Sequence, residues 1–230
     1  MRRETQNVLL VLLGGALLKI GINGDYLRYV KPSQQIWIIA GGAVVVVLGA
    51  VAIVRDLLAR GRETDGHHHA ARPAWLLLLP VLAVFLVAPP ALGSDSVTRT
   101  EARAPAQDQS VFPPLPPGDV IPLPLTDFVT RAGWDPGGSL NDRTVRLTGF
   151  VTHTGDSVLL ARMVITCCAA DAYPLKVRMR GLPAGYENDT WLEVTGRVVP
   201  GTATKATTFT PDFVVASARR ITAPADPYED

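Results

Sequence analysis

Cysteine is scarce in this sequence: 230 residues contain two, and both lie at one point, Cys167 and Cys168. The chain has no C-x-x-C motif and no thioredoxin-like βαβ pattern, so it lacks the usual marks of a disulfide oxidoreductase. A bridge between adjacent cysteines closes a very small, strained loop and removes little chain entropy. A disulfide between these two cysteines would therefore add little to the stability of the fold. A metal site, a redox-labile vicinal disulfide and simple packing in the domain remain as interpretations.

Catalytic motifs are absent as well. The sequence contains no G-x-S-x-G and no H-E-x-x-H, and His153 is the only histidine after residue 94. No Ser-His-Asp arrangement is therefore plausible in that part of the chain. We expect that the protein is not an enzyme.

The sequence also lacks an excess of basic charge. The net charge is +1, and acidic and basic residues nearly balance after Leu125, whereas nucleic-acid-binding domains are usually basic. We expect no nucleic acid as a partner. One basic row, Lys176, Arg178 and Arg180, indicates the solvated face of a strand, with an acidic partner or lipid headgroups as the alternative.

Long apolar runs are abundant instead. They predict three transmembrane helices, at about 8–22, 36–54 and 74–92, because each run approaches the length that crosses the hydrocarbon core of a bilayer. Lys19 lies near one end of the first run, where its stem can reach the headgroups. A signal peptide is the alternative for this first run, but no small-x-small cleavage site follows it.

The basic residues of the short loops predict the orientation. Loops rich in lysine and arginine stay in the cytoplasm, and the N-terminal tail and the second loop together contain six of these residues, whereas the first loop contains two. We expect a multi-pass protein of the cell membrane with a cytoplasmic N-terminus and an extracytoplasmic C-terminal part. The residues concerned are Arg2 and Arg3 in the tail, Arg28 and Lys31 in the first loop, and Arg55, Arg60, Arg62 and Arg72 in the second.

The rest of the chain divides into a linker and a domain. After the membrane region, 1–94, the proline-rich segment 95–124 predicts an extended spacer. Residues 125–230 predict an extracytoplasmic domain that begins with a short helix, which Thr126 caps and Gly133 ends.

Five strands are then predicted in this domain. Three of them alternate apolar and polar residues, 157–165 is more evenly apolar and predicts a strand buried on both faces, and 212–221 supplies the last strand. Short, mostly antiparallel strands with Gly149 and Gly196 at points of strong curvature favour a small all-β barrel of the oligonucleotide/oligosaccharide-binding (OB) type. A small sandwich is the alternative. The predicted strands are 144–151, 157–165, 174–180, 191–198 and 212–221.

The cysteine pair lies just after the second predicted strand. Adjacent side chains of a strand point to opposite faces, so the two thiols converge only if the strand ends or bulges there. Asp171 and Pro174, both turn formers, allow this. Converging thiols would suit Zn(II), Cu(I) or a thiophilic metalloid, with Asp171 and the more distant His153 as further candidate ligands.

A second candidate ligand cluster is His67, His68 and His69 in the loop between the second and third predicted spans. Adjacent imidazoles in a flexible loop bind transition metals loosely, and a polar tether is the alternative interpretation. The predicted topology places this triplet in the cytoplasm, so it would not share an ion with the cysteine pair.

Several stretches resemble the YcgQ-like bacterial family of two-component permease accessory subunits. They are "YLRYVKP" at 26–32, the histidine cluster, "WLLLLPVLAVFLVAPPALG" at 75–93, "ITCCAADAYPLKVRM" at 165–179 and "WLEVTGRV" at 191–198. The resemblance implies a multi-spanning permease as partner, and it makes Cys167, Cys168, Asp171 and Pro174 the motif residues of this chain. It implies no chemistry for them.

Two functions follow as expectations. The first is an accessory subunit of a membrane permease, which rests in the lipid bilayer and binds or hands over zinc or another thiophilic metal or metalloid ion through the cysteine pair. The second is an envelope thiol redox protein that cycles Cys167 and Cys168 between dithiol and disulfide.

Overall fold

The computed structural model describes residues 3–59, 90–100 and 112–229, and the chain divides into two compact units, Met1–Pro90 and Ala91–Asp230. The first unit contains the helices α1 (Arg3–Asn23) and α2 (Gln35–Ala59). Both are long and apolar enough to cross a membrane. They match the first two predicted spans. Residues 74–89 of the third predicted span lie outside the described residues, and 90–92 are not helical.

Helices α1 and α2 form an antiparallel hairpin held at both ends. The Asn7 amide donates to the Asp56 carboxylate over 2.8 Å, and the Gln35 amide donates to the Gly21 carbonyl over 3.0 Å. Between these contacts the backbones approach closely, because a Cβ on Gly14 would lie 2.8 Å from the Gly42 carbonyl oxygen. Small residues allow such an approach between apolar helices.

In its described residues, the second unit contains two α-helices and seven strands. The helices are α3 (Ser94–Arg99) and α4 (Leu125–Trp134). The strands are β1 (Val120–Pro122), β2 (Thr144–Thr154), β3 (Ser157–Val164), β4 (Tyr173–Arg180), β5 (Trp191–Val199), β6 (Asp212–Arg220) and β7 (Tyr228–Glu229). All five predicted strands are confirmed, as β2 to β6.

These strands form one sheet in the order β1-β2-β5-β6-β4-β3-β7, and β2 additionally pairs with β3. The pairs β2–β3, β3–β4, β2–β5 and β5–β6 are antiparallel. The pairs β1–β2, β4–β6 and β3–β7 are parallel. The two unpredicted strands, β1 and β7, are short; β1 pairs with β2 and β7 pairs with β3.

Two apolar clusters stabilise the second unit. The larger fills the space between α4 and the sheet, where the rings of Phe128 and Phe213 meet edge to face at 5.5 Å. The smaller surrounds β3 on its other side, where Val97 of α3 packs with Phe150 and Met163. Because both faces of β3 are covered, its residues from Leu159 to Val164 are all buried, as their evenly apolar sequence predicts.

The proline-rich segment differs from an extended spacer in its described parts. Its first residues belong to α3, where the Ser94 amide and hydroxyl both donate to the Asp189 carboxylate. Its second half lies against the domain, because the buried Arg131 donates to the Pro113 carbonyl and packs on the Phe112 ring. The sequence shows the prolines but not the buried arginine that binds them.

The start of α4 also differs from the prediction. Thr126 is inside the helix, and Pro124 precedes the first helical residue. The Glu229 carboxylate accepts instead from the Leu125 and Thr126 amides, over 2.9 and 2.7 Å. An anion at a helix N-terminus satisfies free N–H groups and the helix dipole. Strand β7 is thereby fixed to α4.

The basic row on β4 is partly neutralised. Arg178 and Arg180 both bind the buried carboxylate of Asp212, on the parallel neighbour β6. These two residues are therefore not a freely solvated row, because strand pairing supplies an anion that their local sequence does not reveal. Lys176 is half-buried, and burial lowers its pKa.

Candidate functional site

The cysteine pair lies where β3 ends. The strand ends at Val164, and the Ile165 amide donates to the Glu229 carbonyl over 3.2 Å, next to the pairing of β3 with β7. The chain then turns, and a short 3-10 helix spans Ala169–Asp171. The condition for convergence of Cys167 and Cys168 is therefore met, because neither residue lies in a strand.

The Asp171 carboxylate organises this turn. One oxygen accepts from the Thr166 amide at 2.7 Å, and the other accepts from the amide of Cys167 at 2.9 Å. The second oxygen also lies 3.5 Å from the Cys168 amide. Backbone N–H groups that converge on one carboxylate hold the turn closed, so Asp171 fixes the backbone of both cysteines.

The two thiols lie on the same side of the turn. Cys167 Sγ lies 3.0 Å from Asp171 Oδ2, to which it donates, and 3.7 Å from Cys168 Sγ. Both cysteines are free; Cys167 is exposed and Cys168 half-buried. The two sulfurs and one carboxylate oxygen lie within 4.8 Å of one another, which is the spacing of a potential metal site.

The same contacts separate the pKa values of the thiol and the carboxyl. The hydrogen bond from the Cys167 thiol, together with the hydrogen bonds from three backbone amides, lowers the pKa of Asp171 to about 2. The hydrogen bond to Asp171, and then the one to Cys168, raise the pKa of Cys167 to about 11. At neutral pH the apo site therefore holds a carboxylate and a protonated Cys167 thiol.

Alkylation of Cys167 should be slow in the apo protein. Relative to a thiol of pKa 9.0, a pKa of about 11 leaves roughly 100-fold less thiolate at neutral pH. We expect Asp171→Asn to lower this pKa and to speed alkylation, because the carboxylate that favours the protonated thiol is gone. Iodoacetamide rates across the alkaline range, in a Cys168→Ser background, measure this effect. Equal rates with aspartate and asparagine at 171 would contradict it.

His153 is not brought to this cluster. His153 pairs with Val158 at the far end of the β2–β3 hairpin, about 20 Å along β3 from the cysteine turn. Its amide and its Nδ1 both contact the Asn188 side-chain oxygen, at 2.9 and 2.8 Å. Among the described residues, the cluster of possible ligands is Cys167, Cys168 and Asp171. His67, His68 and His69 lie outside the described residues.

Asp171 was recognised from the sequence as a turn former, but the capping box through which it closes the turn was not, although a signal was present. Cys168 is the N-cap of the 3-10 helix and Asp171 is its third residue, which is the spacing of a capping box. That spacing indicates a turn closed by Asp171. The contact of Ile165 with Glu229 had no comparable signal, because the two residues are distant in the sequence.

A comparison with known families gives a match within the C-terminal domain. Residues 137–229 match the model of the DUF1980 C-terminal domain, which covers β2 to β7 and the cysteine turn. The match is consistent with the resemblance to the YcgQ-like family, and it does not extend to the residues before 137. No curated protein matches the chain.

Proposed function

We propose that this chain is an accessory subunit of a multi-spanning membrane permease, and that it binds a thiophilic metal or metalloid ion at Cys167 and Cys168 for transfer to or from that partner. The observation that carries the proposal is the convergence of two free thiols and the Asp171 carboxylate on an accessible turn. Soft thiolates select Zn(II), Cu(I) and similar ions. The role is binding and transfer; we propose neither catalysis nor a nucleic acid partner.

In the same proposal the sheet is an OB-type barrel. Its support is the double pairing of β2, which joins β3 on one side and β5 on the other. Together with β3–β4, β4–β6 and β5–β6, these pairs connect five strands in a ring. A ring of five strands leaves no open edge between its members. The cysteine turn then connects two neighbouring barrel strands, β3 and β4.

The proposed location is the cell membrane, with three spans, a cytoplasmic N-terminus and an extracytoplasmic C-terminal domain. Helices α1 and α2 support the first two spans. Their outward side chains are apolar; Trp37 and Val44, for example, are 71% and 58% exposed, as residues that face lipid or a partner helix would be. Arginines in the tail and the second loop support the orientation.

Loss of both thiols should abolish ion binding. We expect the reduced, metal-free full chain in detergent to bind one Zn(II), Cu(I) or arsenite with a dissociation constant that Cys167→Ser/Cys168→Ser weakens at least about 100-fold, because oxygen replaces both soft ligands. Isothermal titration with each ion measures this. The control is Ser157→Ala/Ser217→Ala, two hydroxyl changes away from the turn. Failure of all three ions to bind the unchanged chain would contradict the proposal.

The redox function is the second candidate, since the two sulfurs lie 3.7 Å apart and free. The raised pKa of Cys167 disfavours it, because the thiolate is the reactive form. The reduced, metal-free chain and its Cys167→Ser/Cys168→Ser variant also distinguish the redox function from ion binding. A vicinal disulfide that forms and is reduced reversibly, without ion binding, would favour the redox protein.

If the chain is a permease subunit, it should co-purify with the permease. We expect a tagged copy of the chain, extracted from native membranes in mild detergent, to retain a multi-spanning permease in near-equal amount. Gly41→Leu, at an exposed position of α2, should reduce recovery because α2 contacts the partner, whereas among the described residues a Cβ at Gly41 meets no other element within 4 Å. Mass spectrometry of the eluate identifies the partner. Recovery of the chain alone would argue against a permease subunit.

A further inference from the structure

The spacing of the three candidate ligand atoms carries information about the ion. In the described turn, Cys167 Sγ lies 3.7 Å from Cys168 Sγ and 3.0 Å from Asp171 Oδ2. These distances are held by a backbone that the Asp171 carboxylate closes through the amides of Thr166 and Cys167. The two sulfurs therefore belong to a folded turn and are not placed by chance on an open loop.

A tetrahedral zinc-like ion fits the sulfur spacing. Two Zn–S bonds of about 2.3 Å at a tetrahedral angle place the sulfurs about 3.8 Å apart. A linear two-coordinate ion with bonds of similar length would hold them roughly 4.6 Å apart, twice the bond length. The 3.7 Å between the two sulfurs agrees with the first arrangement.

The carboxylate fits as a third ligand with a small adjustment. Zn–S and Zn–O bonds of about 2.3 and 2.0 Å place sulfur and oxygen about 3.5 Å apart. The present 3.0 Å is the length of the hydrogen bond from the Cys167 thiol to Asp171 Oδ2. An ion that replaces the thiol proton would widen this gap by about half an ångström, while the other oxygen keeps its bond to the Thr166 amide.

No fourth ligand is present in the part of the chain that the structure describes around this turn. The cluster of possible ligands ends with Asp171, and His153 lies at the other end of the hairpin. Structural zinc sites carry four protein ligands, whereas sites that exchange a ligand carry three. Because Cys167 is exposed, solvent or another ligand can reach the site.

We infer that Cys167, Cys168 and Asp171 form a three-ligand site for a tetrahedral divalent cation of the zinc class, whose fourth position is open to an exchangeable ligand. This inference rests on the proposed function and narrows it: zinc-class cations are the cargo, and a ligand of the acceptor protein replaces the fourth, exchangeable ligand during transfer. On binding, both thiol protons pass to solvent, no electron is transferred, and the cation gains two thiolates and one carboxylate oxygen.

Cobalt(II) is the probe, because its absorption reports geometry and sulfur ligation. We expect the reduced full chain in detergent to bind one Co(II) with the intense visible bands of a tetrahedral ion and a near-ultraviolet thiolate charge-transfer band. Zn(II) should displace it. Imidazole should shift the visible bands, because it enters the open position. Asp171→Asn should weaken Zn(II) binding at least about tenfold, and Asp156→Asn, in the exposed β2–β3 turn, should leave it unchanged.

Asp171→Asn can also loosen the turn, so a second variant keeps the test decisive. Cys167→Ser retains the Asp171 contacts to the backbone and should halve the charge-transfer band. Octahedral Co(II) spectra, insensitivity to imidazole, or an unchanged affinity in a folded Asp171→Asn variant would overturn the inference. Tight binding of Cu(I) or arsenite without Zn(II) or Co(II) would also overturn it, yet would leave the proposed function intact. Failure of every ion to bind would remove the proposed function itself.

Discussion

Gly196→Ala is expected to lower the free energy of unfolding of the C-terminal domain by about 3 kcal/mol, in the upper range for overpacked cores. Gly196 lies in β5 at an irregularity in its pairing with β6. A Cβ there would collide with the Val214 carbonyl oxygen and lie 2.7 Å from the ring of Phe213. Neither neighbour can retreat easily, because one is strand backbone and the other is fully buried.

The matched control for this prediction is Arg197→Ala. Arg197 is the next residue of β5 and is exposed, so its removal should change stability by less than about 0.5 kcal/mol. The free energy of unfolding of both variants is measured by urea titration of the full chain in detergent. The protease resistance of the C-terminal domain serves as the readout. A Gly196→Ala chain as stable as the unchanged protein would mean that β5 and β6 separate without cost at this point.

Gly196 also shows how much of the fold could be predicted from the sequence. Alternation of apolar and polar residues placed β2, β4 and β5 to within a few residues, because such a pattern is typical of a strand with one buried face. A glycine inside such a pattern predicted an irregularity, and β5 has one at Gly196. Strands β1 and β7 have three and two residues, too few to show a period, and their existence depends on a neighbour strand.

The candidate site was predicted in part for a similar reason. Cys167, Cys168 and Asp171 are close in sequence, so one turn suffices to bring them together. His153 was a plausible ligand only while the register of β2 against β3 was unknown, since a register alone decides which residues are neighbours. Its pairing with Val158 places it at the opposite end of the hairpin. Long-range pairing is the information that local patterns do not contain.

Glu229→Ala is the second prediction with a large effect, because one side chain serves two elements. Its carboxylate accepts from the Leu125 amide and from the amide and hydroxyl of Thr126, at 2.7 to 2.9 Å. It also lies 3.9 Å from the guanidinium of the buried Arg162. Alanine leaves the helix donors and Arg162 without this anion. We expect a loss of about 3 kcal/mol in the free energy of unfolding.

Glu229→Gln separates the two contributions. Glutamine retains one acceptor oxygen for the α4 amides but no charge for Arg162, so its loss should be about half that of alanine. Thr126→Val removes only the hydroxyl contact and should cost about 1 kcal/mol. The same urea titration ranks the three variants. Equal losses for glutamine and alanine would assign the stabilisation to the charge and not to the helix cap.

Hydrogen exchange shows which backbone amides lose protection in Glu229→Ala and whether the cysteine turn is among them. In Glu229→Ala we expect faster exchange at the Leu125 and Thr126 amides, which lose their acceptor. The Ile165 amide donates to the backbone carbonyl of Glu229, which the substitution retains. Exchange at Ile165 therefore rises only if β7 detaches from β3. Faster exchange there, with weaker ion binding, would show that β7 positions the turn, and slow exchange would confine the effect of Glu229 to α4.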